Sequence, residues 1–262
     1  MTRRLVFSPH ADDAVLSCHG ALGPGTDVVT VFAGVPEDAG LLTDWDRRLG
    51  VGSSRELALE RLDEDVRSFA GTGVALEQWP FLDGQYRPGV VPQELLPAMR
   101  TRIRAAAEVW LPAGLLVHPD HVLVRDTGLA ACAELAREGV RPGLVLYAEY
   151  PYQLFQMGNA RRAAGTHASY DWTNADPSAL TAWSEEVFPR AAAPQHAPVG
   201  SRLGAEAVAA KEASVRAHAT QVDELDRQVH GRLLKPDNIG LEYWWPLRSA
   251  EAAVADLDQE SL

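Results

Sequence analysis

The sequence predicts an α/β fold of Rossmann-like type: a mostly parallel sheet flanked by helices, with a loop-rich cap. Three observations carry this. The first 34 residues read as strand, turn, helix, strand. The β-then-α rhythm then repeats to about residue 148. The strand-like runs are short and apolar on both faces, as in buried parallel strands.

The elements follow in order. Leu5-Val6-Phe7 is a first strand ending at Ser8-Pro9. Ala14, Val15, Cys18, Ala21 and Leu22 recur at helical spacing, and Gly23-Pro24-Gly25 closes that helix. Val28 to Phe32 is the second strand, joined by a right-handed crossover. Residues 35 to 53 read as a long surface loop. A charged amphipathic helix is expected from Ser54 to Phe69, a strand over 74–82, and a helix from Pro92 to about Ala107. The next strand is Val109 to Leu111 or Leu115 to Val117. A helix from Pro119 to Glu138 and a strand from Leu144 to Ala148 follow. Residues 150–204 carry scattered aromatics without a sustained period and read as the cap, within a single domain spanning 1–262. Ala205 to Val229 returns to a helical pattern, and the tail after Asp256 is expected to fray.

Composition excludes several classes of function. With 24 basic and 36 acidic residues the chain carries a net charge of −12, which repels a phosphate backbone or an anionic membrane surface. No nucleic-acid or membrane partner is expected. No stretch approaches the roughly 20 apolar residues of a membrane helix. Met1 to Pro9 does not read as a signal peptide, so a cytoplasmic location is the expectation. Cys18 and Cys132 cannot make a disulfide scaffold or a four-cysteine metal site. Oligomeric state is left open.

Two clusters carry chemistry. Ser8-Pro9-His10-Ala11-Asp12-Asp13 lies where the first strand meets the first helix, the end of a parallel strand where such sheets bind ligands. His10 and Asp13 offer the nitrogen and oxygen that zinc accepts. Asp12, its neighbour, points elsewhere and is free to act as a base. The competing reading is that Asp12 or Asp13 caps the helix. Val117-His118-Pro119-Asp120-His121 opens another helix, with proline at its favoured first position. His118 is then held extended. His121 at a helix N-terminus is kept neutral, as a metal ligand must be. Asp120 can fix the tautomer of an imidazole. Alone, this second cluster also reads as a solvated loop.

Together the clusters make a three-ligand site of His10, Asp13 and His121 with an open position for water. Asp12 would take a proton from that water and return it to a leaving amine. His118, if protonated, would stabilise an oxyanion. The arrangement suits amide hydrolysis.

Pro9-His10-Ala11-Asp12-Asp13 followed by His118-Pro119-Asp120-His121 resembles the PIG-L/LmbE-like family of N-acetylglucosaminyl deacetylases. Phe81 to Arg87, Tyr147 to Tyr152 and Lys211 to Gln221, with Thr220 in place of serine, resemble three further stretches in the family order. The resemblance implies a Rossmann-like fold and one Zn2+ per chain on His10, Asp13 and His121, with Fe2+ also accepted by such ligands. It implies Asp12 as general base and acid, and His118 as oxyanion stabiliser oriented by Asp120. Ala11 and Ala14 depart from the family's usual proline and glutamate; the second weakens any claim to one family substrate. Tyr86, Glu149, Tyr152 and His218 are candidate substrate contacts by position. His19, His167, His196 and His230 read as structural or loop residues, and Trp244-Trp245 as packing at the core's edge. The implied reaction removes an acyl group, acetyl first, from the amide nitrogen of an amino sugar or glycosylated small molecule, with secondary metabolism as the expected setting. The alternatives are a carbohydrate-binding protein with an inactive metal site, and a metal-dependent amidase on a non-sugar substrate.

Overall fold

The computed structural model describes residues 3–163, 177–191 and 196–260. In chain order the principal elements are β1 (Arg4–Ser8), α1 (Asp13–Ser17), β2 (Thr26–Thr30), α2 (Asp44–Arg48) and α3 (Ser54–Ser68). Next come β3 (Ala75–Gln78), α4 (Leu95–Ile103), β4 (Glu108–Pro112), α5 (Pro119–Arg137) and β5 (Gly143–Tyr147). The chain continues with α6 (Tyr152–Ala163), α7 (Ser178–Val187), β6 (Val199–Arg202), α8 (Ala205–Arg216) and α9 (Ala219–Gln228). It ends with α10 (Pro236–Ile239), β7 (Leu241–Leu247) and α11 (Ala250–Glu260).

The described strands form one seven-stranded sheet in the order β3-β2-β1-β4-β5-β7-β6. The pairings among β1 to β5 are parallel. β7 runs antiparallel to β5, and β6 antiparallel to β7. Strand order reverses between β1 and β4, so the loops leaving these two strands flank the topological switch point. That position decides where the site forms. The central strands are apolar because helices cover both faces: Val6, Phe7, Val28, Val29, Val109, Leu111 and Leu146 are all buried.

Several sequence expectations are revised. Residues 35–53 are not loop throughout; Thr43 caps α2 through a bond from the Asp46 amide, 3.2 Å. Of the two strand choices after α4, the earlier one forms. Leu115–Val117 is instead a 3-10 turn, with Leu116 and Val117 at φ of 56° and 53°. The cap region contains α6, α7 and β6 among its described residues rather than loops alone. The helical run over 205–229 is broken at His218, between α8 and α9. After Asp256 the chain continues as helix in α11 to Glu260. β7 holds Trp244 and Trp245; Trp245 is fully buried and packs on Trp183, a deeper position than the core's edge.

Candidate active site

The site begins at the end of β1. Ser8 is fully buried, and its hydroxyl donates to the His10 carbonyl and accepts from the Ala14 amide, 2.6 and 3.0 Å. This hydroxyl serves the opening turn of α1, so neither aspartate is used up there as an ordinary cap. Asp12 occupies the N-cap position but its side chain makes no capping bond. Asp13 accepts from the His10 amide at 2.8 Å, which turns its carboxylate back over the strand end.

The second half comes from the loop after β4. Gly114 sits at φ 80°, a left-handed conformation suited to glycine. Its amide donates to Glu149 at 2.5 Å, and the Leu115 amide donates to the same carboxylate at 3.3 Å. His118 is extended, as the following proline requires, and α5 starts at Pro119. Asp120 and His121 thus enter the crevice from the first turn of α5.

These residues converge. Asp13 Oδ2 lies 3.3 Å from His10 Nδ1 and 3.3 Å from His121 Nε2. His10, Asp13 and His121 each offer an atom within 4.8 Å of the others, a grouping that can hold one metal ion. The outer nitrogens support that use. His10 Nε2 lies 3.1 Å from Asp120 Oδ2, and His121 Nδ1 lies 3.2 Å from Glu149 Oε1. Each imidazole is therefore held by a buried carboxylate on the side away from Asp13, the support that metal-binding histidines require. The donor set fits a divalent ion of the zinc or iron type.

Asp120 is consequently bound to His10, not to His118. It also accepts from the Gly84 amide at 2.8 Å and pairs with Arg87. His118 Nδ1 is buried without a partner. Its ring packs edge-on against His121 and stacks with Tyr152. Burial, then the neighbouring His10 and His121, lower the His118 pKa to about 4. That direction opposes a cationic ring, the condition on which an oxyanion-stabilising charge on His118 depends. Burial opposes charge on His10 and His121, yet their carboxylate neighbours raise both pKa values. Asp13 and Asp120 are held well below the usual carboxylate range, because the adjacent histidines outweigh their burial. Ionised carboxylates gathered on imidazoles favour a bound cation.

Asp12 lines the same cleft, whose volume is about 640 Å³. Of the candidate substrate contacts, Tyr152 lines that cleft. Glu149 does not serve as one: it is fully buried and holds His121 and the turn after β4. Tyr86 donates its hydroxyl to Asp46 at 3.0 Å, mooring α2 to the 81–87 stretch. His218 is buried with both ring nitrogens unpartnered, and burial lowers its pKa to about 4. His19 faces Ser214 at 3.5 Å, and His167 lies outside the described residues.

Other residues enter the cleft that the sequence reading passed over. Arg61 of α3 lines it and donates to Gln221 at 2.6 Å. Asp83 lies 3.7 Å from His10 Nε2 and 3.9 Å from Arg61. Trp45 of α2 also lines the cleft. Asp83 and Arg87 stood inside the quoted 81–87 stretch; Arg61 and Trp45 had no comparable signal. In the late stretch Lys211 pairs with Glu242 at 2.8 Å and the Thr220 hydroxyl donates to Glu64 at 2.6 Å, while Gln221 lines the cleft. Threonine thus retains a hydroxyl where the family pattern has serine.

No family model and no curated protein matches the chain. Solved structures do. A triple mutant of a deacetylase of the teicoplanin biosynthetic pathway is 23% identical, with 95% of this chain and 98% of that one covered and a TM-score of 0.67. The A40926 pseudoaglycone deacetylase is 26% identical, with the same coverage, 95% and 98%, and a TM-score of 0.62. The 4-carboxy-2-hydroxymuconate hydratase of Pseudomonas putida KT2440 is 20% identical, with 95% and 96% covered and a TM-score of 0.52. The fold alone therefore does not select one reaction. The agreement with the two deacetylases extends over nearly the whole chain, so this chain shares their fold, with the His10–Asp13 and His118–His121 motifs gathered into one cleft.

Proposed function

We propose that the chain is a metal-dependent deacetylase that hydrolyses the N-acetyl amide of an amino sugar carried on a small molecule. The carrying observation is the convergence of His10, Asp13 and His121 on one point, with Asp12 unengaged by α1 in the same cleft. The glycopeptide deacetylases that share the fold support the reaction class and a substrate from natural-product biosynthesis. Zinc is the proposed ion: two imidazoles and one carboxylate form a three-ligand catalytic set that zinc accepts. A structure of the teicoplanin enzyme described as a zinc-inhibited form advises titrating zinc rather than saturating with it.

A divalent ion held there would polarise the acetyl carbonyl and acidify water. The chain's own residues do the rest. Asp12 accepts the proton of the attacking water and delivers it to the departing amine nitrogen. Neutral His118 donates one N–H to the developing oxyanion. Asp120 and Glu149 hold the orientation of His10 and His121, so the constellation requires no rearrangement during reaction. Arg61 and Asp83 supply a donor and an acceptor for sugar hydroxyls.

The test is acetate release from N-acetylglucosaminides, abolished by chelation and restored by substoichiometric zinc. Asp12→Asn should lower turnover by about 10²–10⁴-fold while retaining the ion. A binding protein with an inactive metal site would show no release in the parent chain. A hydratase-like activity would show no acetate while still requiring the metal.

A further inference from the structure

Residues on the cleft's apolar side take no part in the proposed chemistry. Trp45 is half-buried, while Val90 and Val91 are 59% and 61% exposed. All three line the cleft that contains His10, Asp12 and Asp13, together with Leu123 and Leu225. Val90 and Val91 are adjacent in the chain, and a ligand seated against them would remove apolar surface from water. The cleft's 640 Å³ lies within the roughly 300–1,000 Å³ that enclose drug-sized ligands.

The mooring of α2 gives this apolar wall a fixed place. Asp46, fully buried, accepts from the Tyr86 hydroxyl at 3.0 Å. The Thr43 hydroxyl donates to Gln85 at 2.6 Å. Trp45 is thus anchored to the stretch that brings Asp83 beside His10. One segment ties the polar and apolar parts of the cleft together.

We propose that Trp45, Val90 and Val91 form a subsite for an uncharged aromatic or aliphatic aglycone on the N-acetylated sugar. This rests on the deacetylase reading and narrows its substrate class to amphiphilic glycosides. The indole supplies a flat, rigid surface for an apolar group, and the valines add apolar surface to the same cleft. A free amino sugar fills only the polar part of the cleft. An anionic aglycone is disfavoured by the chain's net charge of −12.

The experiment compares methyl and p-nitrophenyl N-acetyl-β-glucosaminide. Binding is measured by calorimetry on zinc-loaded Asp12→Asn protein, so that no acetate is released during titration. Acetate release is measured separately on the parent protein. The aryl glycoside should bind about tenfold more tightly, equivalent to about 1.4 kcal/mol. Adding Trp45→Ala or Val91→Asp, which lie on different segments, should bring the two dissociation constants within about twofold of one another. Collapse of the preference in either variant supports the subsite. Equal binding of the two glycosides, no measurable binding of either, or a preference surviving both substitutions would overturn it. An aryl preference without acetate release from either glycoside would retain the subsite and overturn the deacetylase reading.

Discussion

At the residue scale, the site depends on groups that reach His10, Asp13 and His121, the proposed metal ligands, only through another side chain. Glu149 is the clearest. It is fully buried, meets His121 Nδ1 at 3.2 Å and accepts two amides of the turn after β4. Glu149→Gln is expected to lower metal affinity by about 10–100-fold without unfolding the chain. Competition against a chromophoric chelator measures this, with circular dichroism as the folding control; an unchanged affinity would assign Glu149 to the turn alone. The sequence placed His10, Asp13 and His121 correctly in one crevice because their strand-to-helix settings are local. It did not disclose which carboxylate supports which imidazole. Asp120 is one residue from His121 and two from His118 in sequence, yet its partner is His10, 110 residues away.

At the element scale, the loops after β2 and β3 meet through a close approach of their backbones. Gly34 is buried, and its amide donates to the Phe81 carbonyl at 2.8 Å. A Cβ there would lie 2.5 Å from the Pro80 carbonyl oxygen and 2.7 Å from that of Phe81. Both obstacles are backbone, so neither can rotate away. Gly34→Ala should cost about 1–3 kcal/mol in denaturant unfolding. It should also reduce turnover by displacing Asp83, and unchanged stability and rate would show that the loop yields freely. Long periodic elements such as α3 and α5 were legible to within a residue or so. The short α2 was not, because five residues carry too little period to be read. The break at His218 was missed because the pattern on either side remains helical.

At the scale of the whole molecule, burial of charge makes stability depend on pH. Asp65 is fully buried on α3; one carboxylate oxygen accepts from Thr30 at 2.8 Å and Gln78 at 3.0 Å, and the other has no partner. Burial, followed by bonds that oppose it and by the nearby charge of Asp12, pushes its pKa up to about 7 from 3.8. The folded chain therefore holds a proton that the unfolded chain releases. The resulting stability is complete below pH 4 and is lost as pH rises towards 7. Asp65→Asn should be nearly neutral at pH 4 and stabilising at pH 8 by on the order of a few kcal/mol. Chemical denaturation at the two values checks the sign, and equal effects would place the ionised carboxylate comfortably in the fold.

The sequence by itself determined the layered α/β class, the strand ends that carry ligands and the residue types gathered there. These depend on apolar periodicity, proline and turn chemistry within a few residues. Only the tertiary structure decided the β3-β2-β1-β4-β5-β7-β6 order that opens the crevice between β1 and β4. It also decided the addition of β7 and β6 at one edge, the support of His10 by Asp120 and of His121 by Glu149, and the apolar residues that line the same cleft. Each of these joins groups far apart in the chain. Which distant groups meet is set by how whole elements pack, and local pattern does not encode it.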